Sequence, residues 1–142
     1  MAEAVALIVG PSLALGLIIG AYEAIIIHRD VTIPTHRFGH MIAALLFSIL
    51  FVFCAMNAAF VLSLIPALAS IPLLGTALGL QILVGLIAAI KIHAISKALP
   101  SAGGIKGAGE TWFHSILIGA LIVASPYAYP VIEPIIPSWL KF

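Results

Sequence analysis

The chain has 142 residues, 63% of them hydrophobic and only 8% charged, with a formal net charge of +1. Soluble domains carry roughly 25% charged residues, so this composition excludes a water-soluble fold. The small net charge excludes electrostatic capture of nucleic acid as a main role. The solvent that suits such a chain is the lipid bilayer, and four helices of about 20 or more residues would use nearly all of it.

The first apolar segment runs from about Ala4 to His28 and is interrupted by Pro11. The preceding Met1, Ala2, Glu3 and Ala4 lack the positive n-region of a secretory signal, so this segment is expected to be a retained span. The second segment runs from about Phe38 to Leu64 and stops before Pro66. The third runs from about Ile71 to Lys97, with Ser70 as the expected N-cap and Pro72 in the first turn. The fourth runs from about Thr111 to Tyr129. Beyond Ser125 the residues Pro126, Pro130, Pro134 and Pro137 alternate with Tyr127, Tyr129 and Trp139. That spacing predicts a break in the helix and an interfacial tail over 130–142, its aromatic rings in the headgroup layer.

No alternation of polarity marks a barrel, and lipid cannot satisfy exposed backbone groups, so the spans are expected to be helices. The fold class read from the sequence is an all-α membrane protein, a single domain of four transmembrane helices in an antiparallel bundle. Arg29, Arg37, Lys91, Lys97 and Lys106 fall on one side of it and only Lys141 on the other. The positive-inside rule then places the loops 29–37 and 98–110 in the cytoplasm and both termini on the opposite side.

Small residues recur every four positions. Ser12, Gly16, Gly20 and Ala24 do so in the first segment, Gly75 and Gly79 in the third, and Ser115 and Gly119 in the fourth. Such stripes let helices approach closely, within the chain or between copies in a homo-oligomer. Asn57 and Gln81 lie at similar depth, which predicts a hydrogen bond between the second and third spans. Glu23 and Lys91 lie at comparable depth near the opposite face, which predicts an ion pair or an ion-coupling carboxylate. Cys54 is alone, so no intrachain disulfide forms.

His28, His36, His40, His93 and His114 all fall near the face that carries the positive charges. His40, His93 and His114 come from three segments at similar depth, and Glu110 stands four residues before His114. Imidazole with a carboxylate suits a transition-metal ion, and two facing histidines would clamp a haem. His28-Arg29-Asp30 lacks the context of a kinase catalytic loop. The glycine-rich stretch around Lys106 lacks the Ser or Thr of a phosphate-binding loop.

No catalytic constellation emerges, so the chain is read as having no catalytic activity of its own. The leading expectation is an accessory subunit bound to other integral membrane subunits. The alternatives are a redox bundle holding metal or haem on the histidines, and a small oligomeric ion-coupled transporter or channel using Glu23.

Overall fold

The computed structural model describes residues 7–30, 34–97 and 112–141, the side chains at 27–30, 34–37, 95–97 and 140 excepted. All regular structure among the described residues is helical. Helix α1 is Val9–Asp30, α2 Pro34–Met56, α3 Ala58–Leu64, α4 Pro66–Ala69, α5 Ala77–Lys97 and α6 Trp112–Ile132, followed by 3-10 turns at Glu133–Ile135 and Ser138–Leu140. Four stretches are long and apolar enough to cross a membrane: Val9–Ile26, Phe38–Met56, Ala77–Ala94 and Trp112–Ile135. These make the chain a multi-pass membrane protein, and leucines and isoleucines such as Ile18, Ile25, Leu46, Leu86 and Ile116 point outward as lipid-facing side chains would.

The helix boundaries follow local chemistry. Helix α1 begins at Val9, so Pro11 falls in its first turn, where an amide has no intrahelical partner in any case. The second apolar segment is broken at Asn57, which separates α2 from α3. Pro66 lacks an amide hydrogen and ends α3 at Leu64.

The expected start of the third span requires correction. Ser70 does not cap it; its hydroxyl donates to the Ala67 carbonyl at 2.8 Å and closes α4. Residues 71–76 form a turn in which Leu73 takes a φ of 72°. The N-cap of α5 is Thr76, whose Oγ1 accepts the Gly79 amide hydrogen at 3.0 Å.

The fourth span is also corrected, because α6 continues through Pro126 and Pro130 to Ile132. Pro126 offers no hydrogen to the Ile122 carbonyl four residues earlier. Ser125 fills the gap: its hydroxyl donates to that carbonyl at 2.7 Å. A serine beside a proline in lipid thus keeps the helix intact.

Packing is closest where glycines meet. On α1, a methyl group at Gly16 would lie 2.5 Å from Ile49 Cα, and one at Gly20 would lie 2.8 Å from Leu45 Cα. A Cβ at Gly119 of α6 would approach the Gly85 carbonyl oxygen of α5 to 2.6 Å. These positions admit only hydrogen, so α1 rests on α2 and α5 on α6. Helix α2 touches both α5 and α6, α6 also meets α1, and among the described residues the backbones of α1 and α5 make no close approach. The core lies where these helices converge, with Leu15 and Ile19 of α1, Val52 and Ala55 of α2, Ala88 of α5, and Ile118 and Ile122 of α6.

Gly75 and Gly79 do not take part in such a helix contact. A Cβ at Gly75 would strike the Ala69 carbonyl and one at Gly79 the Leu73 carbonyl. Both glycines serve the turn that folds back ahead of α5.

Candidate functional site

Two polar layers lie inside the apolar bundle. The first is at the end where α1 begins. Asn57 is buried, and its Oδ1 accepts the Ile8 amide hydrogen at 2.7 Å. Its Nδ2 donates to the Phe53 carbonyl at 2.9 Å and is shared with the Ile8 carbonyl and Ser12 Oγ at 3.3 Å each. Ser12 donates its hydroxyl hydrogen to the Ile8 carbonyl and sits 3.6 Å from Met56 Sδ. The residue that interrupts the second span therefore holds the first turn of α1.

Gln81 completes this layer from the other side. Its Nε2 donates to the Ala55 carbonyl at 3.2 Å, and its Oε1 accepts the Tyr127 hydroxyl at 2.8 Å. Similar depth suggested that Asn57 and Gln81 bond to each other, but each finds different partners. Asn57 turns to α1, and Gln81 turns to α2 and α6. Depth along a span does not set rotation about the helix axis, and rotation chooses the neighbour.

The second layer holds Glu23, on the side of α1 that faces α2. Its side chain is 3% exposed, and Ser48 donates a hydroxyl hydrogen to Oε2 at 2.9 Å. Glu23 and Lys91 are not paired: the Lys91 Nζ lies over the Phe47 ring, 4.0 Å from its centroid. An aromatic face attracts an ammonium group, and this contact holds the Lys91 head. The ion pair made among the described residues is instead Lys141 Nζ with Glu133 Oε1, at 4.0 Å.

The expected metal site, with Glu110 as its fourth ligand, falls partly outside the described residues. Among the described residues no group of three His, Cys, Asp or Glu side chains converges on one point. His93 is buried with its ring stacked on the Trp112 indole, 3.7 Å between centroids and 17° between planes. His114 meets Phe113 edge-on at 5.8 Å. His40 is half-buried on α2. The stack on Trp112 helps to set the orientation of the His93 ring. Glu110, proposed as the fourth ligand, lies outside the described residues, as do most of the loops at 29–37 and 98–110.

Four side chains that complete these layers were not singled out for these roles: Ser48, Phe47, Tyr127 and Trp112. Gly85 was likewise missed as the partner of Gly119. Tyr127 was assigned to the interfacial tail because the prolines concealed the continuation of α6. The nearest available signal was Ser125 immediately before Pro126.

A groove of about 510 Å³ separates α1 from α6 on the outside of the bundle. Leu15, Ile18 and Tyr22 line one side, and Leu121, Ala124 and Ala128 the other. Its walls are apolar apart from Tyr22 and Ser125.

Comparison with protein-family models, with curated proteins and with solved structures finds no match.

Proposed function

We propose that this chain is a non-catalytic accessory subunit of a larger integral membrane complex. The observation that carries the reading is the open apolar groove between α1 and α6. The polar side chains of the layer around Asn57 and Gln81 are taken up by hydrogen bonds between helices rather than directed at a substrate. Such bonds fix the arrangement of helices and contribute about 0.6–2 kcal/mol each. An open apolar seam of this kind suits the docking of a further transmembrane helix, whose side chains would fill the groove by van der Waals packing.

In this proposal the chain is an antiparallel four-helix bundle with the loops 29–37 and 98–110 in the cytoplasm and both termini on the other side. The basis is the distribution of Arg29, Arg37, Lys91, Lys97 and Lys106. Mass spectrometry of gently solubilised native membranes tests the function. A reproducible set of other membrane subunits co-purifying with the chain supports the reading. Recovery of the chain alone, fully dispersed, defeats it.

A further inference from the structure

A carboxyl group held inside a membrane must be neutralised, because an uncompensated charge there costs several kcal/mol. A basic side chain, a metal cation or a proton can do this. Around Glu23 no basic side chain serves among the described residues. Lys91 is held over Phe47, and Lys141 is paired with Glu133. A metal cation has no cage among the described residues, since hard cations take about six or more oxygen ligands. The polar contact of Glu23 among the described residues is the Ser48 hydroxyl, and Leu45 Cα, Ser48 Cβ and the Ala44 carbonyl oxygen line the same seam beside Gly20.

We propose that Glu23 and Ser48 form a proton-binding site in the seam between α1 and α2. Ser48 donates to Oε2, leaving the other carboxyl oxygen to carry the proton. On release the proton passes to water as hydronium and Glu23 is left as carboxylate. Glu23 stands three positions from the end of the apolar stretch Val9–Ile26, so its path to water runs to the nearby membrane face.

Other titratable side chains on the elements packed against α1 are His40 and Cys54 of α2, and His114, Tyr127 and Tyr129 of α6. None is a polar partner of Glu23 among the described residues. Tyr22 shares its helix, and the side chains of His28, Arg29, Asp30, His36 and Arg37 lie outside the described set. The site adjoins a close contact in the seam, where a Cβ at Gly20 would lie 2.8 Å from Leu45 Cα and 3.2 Å from Ser48 Cβ. Ionisation therefore draws water toward a point at which α1 rests closely on α2. This inference goes beyond the accessory-subunit reading and does not depend on it.

Infrared difference spectroscopy on the full chain in lipid nanodiscs tests it. The expected result is a protonated-carboxyl carbonyl band that is absent from Glu23→Gln, fades as pH is raised, and is unaffected by replacing potassium with sodium. Ser48→Ala, which keeps the acid, is expected to move the band to higher frequency because the carbonyl loses its donor. Carboxylate bands alone at every pH, loss of the acid band on adding sodium at constant pH, or an unshifted band in Ser48→Ala would each overturn the proposal. If Glu23→Gln does not fold, carbon-13 glutamate labelling of the wild-type and Ser48→Ala chains identifies the band instead.

Discussion

Tyr127 donates its hydroxyl hydrogen to Gln81 Oε1 at 2.8 Å, joining residues 46 positions apart. The same amide reaches the Ala55 carbonyl at 3.2 Å, so one side chain ties α5 to both α6 and α2. In lipid, where apolar faces do not discriminate between neighbours, such a bond helps to set which helices pack together.

Tyr127→Phe should destabilise the bundle by about 0.6–2 kcal/mol. Gln81→Leu should cost more, since it also leaves the Ala55 carbonyl without this donor. In a Gln81→Leu background, adding Tyr127→Phe should have little further effect. Equilibrium unfolding in mixed micelles measures all three, and full additivity would show that the two side chains act separately.

Glycine substitutions should divide by position. Gly119→Ala places a methyl group against the Gly85 carbonyl and should destabilise by about 1–3 kcal/mol. Gly39→Ala meets nothing within 4 Å and should stabilise α2 by up to about 1 kcal/mol through helix propensity. Thermal unfolding of the two variants checks the opposite signs.

Ser125→Ala removes the donor to the Ile122 carbonyl and should destabilise by about 1 kcal/mol. Pro126→Ala restores a backbone donor to the same carbonyl. In that background Ser125→Ala should be close to neutral. A double-mutant cycle measured by unfolding tests the compensation.

The four spans were legible because hydrophobic length is a property of composition, and the bilayer demands it. Their ends were less so. Pro72 read as a first-turn proline, yet the chain turns through Leu73 and starts α5 only at Thr76 and Ala77. Pro126 and Pro130 read as helix breakers, but the Ser125 hydroxyl supplies the donor that Pro126 lacks. The polar pairs were harder still. Counting residues gives depth, and depth matched Glu23 with Lys91 and Asn57 with Gln81. Partner choice depends on helix rotation and on neighbours such as Phe47 and Ser48, which carry no signal in a hydropathy pattern.

Asn57→Leu should release the first turn of α1. The Ile8 amide loses its acceptor and Ser12 loses a neighbour, a loss of about 1–3 kcal/mol for the buried groups left unpaired. Hydrogen–deuterium exchange should quicken over residues 8–12 and remain unchanged over 115–122. Uniform quickening across the chain would show that Asn57 supports the whole bundle rather than this end.

The groove between α1 and α6 carries the central claim, and a photo-crosslinking amino acid at Ala128, one of its lining residues, tests that claim most directly. Irradiation in native membranes should join the chain to a second membrane polypeptide, the same one that co-purifies with the wild-type protein. Adducts to lipid alone, or only to further copies of this chain, would contradict the accessory-subunit account.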